Sequence, residues 1–234
     1  MPRAMQVAPQ TTHKGIFMSD EPRGAILQRD KQSYAIVPRT PCGLLTPDVL
    51  DAISRVCRKY EVPIIKITSG QRMALVGMKK DDVEAIWEEL RLDVGRAVEL
   101  CVHYVQACPG TAVCRFGLQD SLGIGLEIEE MFVGEDFPAK VKFGISGCPL
   151  CCGESYLRDV GVIGTKKGWT LVVGGNSGGH PRIGDVVAEE LGKDQIMDLI
   201  RRFMKLYREQ SGKKLRVSKF VEKTGIEAIK QALL

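Results

Sequence analysis

The sequence predicts an α+β protein built as a compact first domain over residues 33–95 and a larger mixed domain over residues 96–234. Three observations carry this. Helical periodicities alternate with short β-branched runs in the order β-α-β-β-α over residues 33–92, which defines a small α+β unit. Gly and Pro punctuate the joins between those runs. The 234 residues suit one large domain or two small ones, at a prior of about 150 residues per domain.

Residues 1–32 are polar and aperiodic and read as an N-terminal arm. Residues 34–37 form a strand that ends at Pro38, which cannot donate to a sheet ladder. Thr46, Pro47 and Asp48 supply an N-cap, a first-turn proline and a first-turn acid for a helix over 46–60, with Leu50, Ile53, Cys57 and Tyr60 on one face. Residues 62–68 and 72–76 are strand-like runs joined at Ser69-Gly70, a hairpin. Lys80-Asp81-Asp82 then opens a second amphipathic helix, with Val83, Ile86, Trp87 and Leu90 inward. Residues 100–106 read as a short helix leading into a loop over 107–117, and residues 118–132 as another helix. A strand over 140–145 leads into a second loop over 146–153, and strands over 160–163 and 170–173 flank a Lys166-Lys167-Gly168 turn. Residues 174–181 are too rich in Gly for either regular element; helical periodicity returns with Ile196, Leu199, Ile200, Phe203 and Leu206, and again after Thr224.

Composition narrows the function classes. The basic excess is only +4, too mild for a nucleic-acid surface, and aromatic residues make up 6%, too few for base-stacking platforms. There is no apolar run of the roughly 18 residues that a membrane helix needs, and the first twenty residues lack a secretory pattern. No membrane and no nucleic-acid partner is expected, and the expected location is cytoplasmic. In a reducing compartment, eight cysteines point to metal or redox chemistry rather than to a disulfide framework.

Cys108 and Cys114 form C-x5-C, while Cys148, Cys151 and Cys152 contain both C-x2-C and C-x3-C. Thiolates are soft ligands for zinc and for iron-sulfur clusters, and four on one site satisfy either. C-x5-C is loose for a zinc knuckle and suits a cubane, whose metal corners lie farther apart. Zinc, and ordinary buried cysteines, remain the alternatives at the level of spacing.

The run from Cys108 through Arg115-Phe116-Gly117-Leu118-Gln119-Asp120-Ser121, and the run from Lys142 to Cys152, resemble the sirohaem and [4Fe-4S] segment of the nitrite and sulfite reductase family, both in the sirohaem part of its NADH-dependent nitrite reductase large subunits and in its small single-copy assimilatory-type sulfite reductases. The stretch Lys66-Ile67-Thr68-Ser69-Gly70-Gln71-Arg72 resembles that family's ferredoxin-like half-domain, so the resemblance covers about residues 33–210. It implies a ferredoxin-like half-domain followed by an α/β sirohaem and iron-sulfur domain. It also implies that Cys108, Cys114, Cys148 and Cys152 hold the cluster, that Cys152 bridges to the sirohaem iron, and that Cys151 is an additional thiol able to compete for that place.

The family's substrates are anions, which need cations and N–H donors. Lys140 and Lys142 alternate on a strand and so share a face; by resemblance they face substrate, with Arg72 and Arg115 next and Arg39 and Lys66 weaker. Larger sulfite reductases carry an arginine where this chain has Gly70, and strand alternation points Arg72 away from that place. The loop with Asn176, Gly178, Gly179 and Arg182 is expected to hold sirohaem carboxylates, and His13, His103 and His180 form no ligand set. The expected function is six-electron reduction of sulfite to sulfide or nitrite to ammonia, with electrons from a ferredoxin-like donor. The alternative is an iron-sulfur or sirohaem carrier without turnover. A second copy, by homodimerisation, or the N-terminal arm is expected to cover the open side of the cofactor.

Overall fold

The structure is a computed structural model and describes residues 21–234. Of the expected arm, residues 1–20 lie outside the described residues. The rest of it belongs to the fold: β1 (Ile26–Leu27) pairs antiparallel with β2 (Tyr34–Ile36), and the Trp87 indole donates to the Arg23 carbonyl at 2.8 Å. The first sheet therefore begins before Ser33.

That sheet has the order β1-β2-β4-β3, all antiparallel, with β3 (Ile64–Ile67) and β4 (Met73–Met78) forming the expected hairpin. Helices α1 (Pro47–Lys59) and α2 (Val83–Leu90) pack on it through Ile53, Val56, Ile86, Trp87 and Leu90, against Ile36 and Leu75. The α1 N-cap is Thr46, whose side chain accepts from the Val49 N–H, as the local sequence predicts.

The second sheet has the order β5-β6-β7-β8-β9. Strands β5 (Val102–Ala107), β6 (Val141–Ser146) and β7 (Val160–Thr165) are parallel; β8 (Gly168–Val173) and β9 (Asp185–Leu191) continue antiparallel. The helix expected over 100–106 is strand β5. Its two Val and its Tyr are β-prone, and pairing with β6 decides the state that a short apolar run leaves open. Helices α3 (Ser121–Phe132), α4 (Lys193–Gln210), α5 (Val217–Thr224) and α6 (Ile226–Leu233) complete the domain, burying Val105, Phe143, Ile145, Leu171, Phe203 and Tyr207 in one core. Strand β9 and helix α5 have no counterpart among the sequence expectations: β9 carries Glu189 and Glu190 at a sheet edge, and the α5 N-cap is Arg216, with no side-chain cap bond. Among the described residues no helix is long and apolar enough to cross a membrane.

Alternation splits the second sheet into two unlike faces. Val105, Ala107, Phe143 and Ile145 enter the helix-covered core, so Tyr104, Gln106 and Lys142 stand on the other face.

Candidate functional site

Both cysteine loops leave the carboxyl ends of neighbouring parallel strands. Ala107 is in register with Ile145, so Cys108 emerges beside the start of the second loop, and its N–H donates to the Ile145 carbonyl at 3.0 Å. The loops are then tied directly. The Gly147 N–H donates to the Cys108 sulfur at 3.1 Å, and the N–H groups of Leu118 and Gln119 both donate to the Gly147 carbonyl, at 2.9 and 3.0 Å. Close approach demands glycine at two places: a Cβ on Gly147 would lie 2.7 Å from the Gly110 Cα, and one on Gly110, whose φ is +53°, would lie 2.3 Å from the Ser121 hydroxyl. That hydroxyl donates to the Cys108 carbonyl at 2.7 Å and lies 3.3 Å from its sulfur, at the start of α3.

All eight cysteines are free. Cys148 is buried, Cys108 and Cys114 are half-buried and Cys152 is exposed. Cys151 sits at φ +55° with its N–H on the Cys148 carbonyl; burial, opposed in part by a hydrogen bond with Ser146, pushes its thiol pKa up. Among the described residues no three Cys, His, Asp or Glu side chains converge tightly enough for one ion. Four ligands at about 2.3 Å from a single zinc need that convergence, whereas a cubane takes one thiolate per iron corner. The two tied loops carry five free cysteines, four of which suffice for the expected cluster.

Beside the loops lies the polar face of the second sheet. The Lys142 ammonium is 5.8 Å from the Tyr104 ring centroid and the Arg158 guanidinium 5.7 Å from it. Burial, then Arg216, pulls the Lys142 pKa below its ordinary value. Lys140, just before β6, donates to the Ala97 carbonyl at 2.8 Å. Asp159 is almost wholly buried and anchors this face: it takes both carboxylate oxygens to Arg216 at 3.0 and 2.8 Å and accepts from the Lys142 N–H at 2.9 Å. Burial pushes its carboxyl pKa up, and Arg216 opposes that.

The first sheet reaches this place through Gln71, whose side chain accepts from the Ala107 N–H at 3.2 Å and donates to its carbonyl at 3.3 Å. Gln71 is left-handed, with φ +58°, which breaks the strand alternation, so Arg72 turns inward instead of away. Arg72 is 8% exposed and donates to the Arg96 carbonyl at 3.1 Å, and its Nε has no partner among the described residues. It lines a cleft of about 60 Å³ between the two sheets together with Gly70, His103 and Tyr104. A Cβ on Gly70 would lie 2.6 Å from the Tyr104 ring, so Tyr104 fills the space that a larger side chain would take. Both ring nitrogens of His103 and the Tyr104 hydroxyl also lack partners among the described residues. Unpaired Arg, His and Tyr groups around a cleft of this size, lined also by Arg39 and Arg96, suit a small oxyanion or a single carboxylate group.

The structure brings Lys140, Lys142 and Arg72 together around His103, whose pKa is lowered by burial and by all three. Arg115 is elsewhere: it is exposed on the first cysteine loop, its guanidinium 4.5 Å from the Phe116 ring centroid. Arg39 pairs with Glu129 at 3.0 Å, and Lys66 is exposed on β3. In the glycine loop, Asn176 and Arg182 exchange backbone hydrogen bonds, both at 2.9 Å. The Asn176 side chain holds Gly178 N–H and the His180 carbonyl, and Arg182 holds the Gly174 carbonyl and Asp185. Both side chains close the loop itself, leaving Gly178 and Gly179 exposed.

Sequence reasoning missed Arg158, Asp159, Arg216 and His103. Arg158 is buried and ties Gln106 at 2.9 Å to the Ser177 hydroxyl at 2.8 Å, joining the sheet to the glycine loop. The adjacent charges Arg158-Asp159 directly before an apolar strand were the available signal; for His103 the sequence held none beyond its place in a β-prone run.

Residues 100–234 match the nitrite and sulphite reductase 4Fe-4S domain family, and residues 26–92 match the nitrite/sulfite reductase ferredoxin-like half domain. The chain is 85% identical over 217 residues to an assimilatory-type sulfite reductase of Nitratidesulfovibrio vulgaris, covering 93% of this chain and 100% of that one. It is 37% identical to a Bacillus subtilis NAD(P)H nitrite reductase across 89% of its own length, but it spans 26% of that protein. Among solved structures, dissimilatory sulfite reductase I superposes with a TM-score of 0.77 at 15% identity, over 86% of this chain and 69% of that one. The Mycobacterium tuberculosis NirA protein superposes with a TM-score of 0.77 at 20% identity, over 86% and 39%.

Proposed function

The chain belongs to the nitrite and sulfite reductase family, whose members use sirohaem and a [4Fe-4S] cluster, and from that premise we propose that it is a reductase taking sulfite to sulfide or nitrite to ammonia. The observation that carries this reading is the direct tie between the two cysteine loops beside a sheet face bearing Lys142 and Arg158. When bound, the two cofactors supply the electron chemistry. Cys108, Cys114, Cys148 and Cys152 are the four thiolates for the cluster; the exposure of Cys152 and the inward seat of Cys151 favour Cys152.

The chain's own contribution is charge and placement. Lys140, Lys142 and Arg72 attract and orient the oxyanion, and Asp159 with Arg216 keeps Lys142 in position. Arg158 and Arg182 hold the loop carrying Gly178 and Gly179, whose exposed backbone suits the carboxylates of the macrocycle. A small acidic, ferredoxin-like donor suits the rim of the cysteine loops, where Val113 at 82% and Leu150 at 66% exposure flank Phe116 and Arg115. Eight free thiols favour a reducing, cytoplasmic setting. The edge strand β3, with Ile64, Ile65 and Ile67 all exposed, favours a homodimer, which sedimentation velocity tests.

The absorption spectrum of anaerobically purified protein tests the reading. Sirohaem bands together with cluster absorption, and turnover of sulfite or nitrite with reduced viologen, are expected. Cluster absorption alone, or both cofactors without turnover, would establish the carrier reading instead.

A further inference from the structure

We propose that His103 takes up a proton when the oxyanion binds, so that capture of the anion loads the site with a proton for its reduction. The proposal rests on the reductase reading and deepens it. Its first support is the backbone. Between β5 and β6, the step from Val102 to Tyr104 is matched by the single step from Val141 to Lys142, so His103 is the extra residue of a bulge in a parallel pair. Bulges are rare in parallel pairs, and they re-aim a side chain where they occur.

The second support is the company His103 keeps. Its ring lies 5.5 Å from the Tyr104 ring at a tilt of 45°, in the cleft that Arg72 also lines. His103 Nδ1 and Nε2, the Tyr104 hydroxyl and the Arg72 Nε are all unpaired among the described residues. Each such group, buried without a partner, is desolvated at a cost that a hydrogen bond would offset. Several of them around one cleft describe a place whose hydrogen bonds are completed by a small polar guest.

The third support is charge. His103 shares its cleft with Arg72, from the turn before β4, and feels the positive charge of Lys140 just before β6, Lys142 on β6 and Arg216 at the start of α5. The acids nearby are already engaged: Glu129 of α3 by Arg39, Asp159 by Arg216 and Asp136 by Arg96. Burial pushes Tyr104 on β5 and Cys101 just before it toward their neutral forms. Burial first, then the four cations, lowers the imidazole pKa to about 3, so it rests neutral. An arriving anion reverses the sign of the local field and gives a ring nitrogen an acceptor. One proton then passes from solvent to that nitrogen, and no bond of the anion breaks in this step.

Calorimetry of nitrite binding to the oxidised holoenzyme, without reductant, tests this in buffers of different ionisation enthalpy. Nitrite stays a monoanion across the neutral range, so any proton taken up belongs to the protein. The expected result is uptake of about one proton per nitrite, with affinity falling about tenfold per pH unit. His103→Gln and His103→Asn should bind with no uptake and a flat pH profile while keeping sirohaem and cluster absorption. Wild-type binding without proton uptake, or equal uptake in either variant, would overturn the proposal. A wild-type holoenzyme that neither binds nor reduces nitrite or sulfite would instead overturn the reductase reading on which it stands.

Discussion

Cys151 and Cys152 are neighbours in the chain with opposite surroundings: Cys152 is exposed, while Cys151 is half-buried and close to Ser146. Replacing Cys152 with serine should abolish magnetic coupling between the two centres, and Cys151→Ser should leave it intact. Electron paramagnetic resonance of the two variants reads this directly, and the reverse pattern assigns the ligand to Cys151. Lys142 places its ammonium 5.8 Å from the Tyr104 ring centroid, and its backbone N–H is anchored by Asp159, itself paired with Arg216. Lys142→Met should lower kcat by roughly a hundredfold, the scale found when one preorganised charge-stabilising group is lost. Cofactor absorption should stay unchanged, and full turnover would remove Lys142 from the anion site.

At the scale of elements, the site depends on two loops leaving parallel strands side by side. The Gly147 N–H reaches the Cys108 sulfur at 3.1 Å because no Cβ separates Gly147 from Gly110. Gly147→Ala must push the loops apart, so purified protein should contain less iron and acid-labile sulfide per chain. Iron content equal to wild type would show that the tie is dispensable. The bulge at His103 and the left-handed Gln71 act at the same scale: each changes which way the next side chain points, and each turns a residue into the cleft.

Across the whole molecule, the cleft exists because two sheets meet. Gln71 bonds both backbone groups of Ala107, one residue before Cys108, and Arg39 bonds Glu129 on α3 at 3.0 Å. Glu129 also accepts from the Cys42 N–H at 3.0 Å, so this partly buried carboxylate serves both domains. A double-mutant cycle on Arg39→Ala and Glu129→Ala, read from urea unfolding, should give a coupling energy of about 1 to 2 kcal/mol. Additive effects would mean that the ion pair does not join the domains.

Much of this was legible in the sequence because it was written locally. The Thr46 cap, the β3–β4 hairpin, the turn at Lys166-Lys167-Gly168 and the spacing of the cysteines depend on residues close together in the chain, where backbone preference and hydrophobic periodicity act. Strand β5 was misread as helix because a short apolar run takes its state from its partner strand. The tertiary structure alone decided the rest. Arg72, His103, Lys142 and Arg216 are spread across 145 positions of the chain; one bulge and one left-handed residue bring Arg72 and His103 to a single cleft, and sheet pairing sets Lys142 and Arg216 near enough to act on the His103 charge. Burial and the surrounding cations, which are properties of that arrangement and not of any segment, then keep His103 neutral.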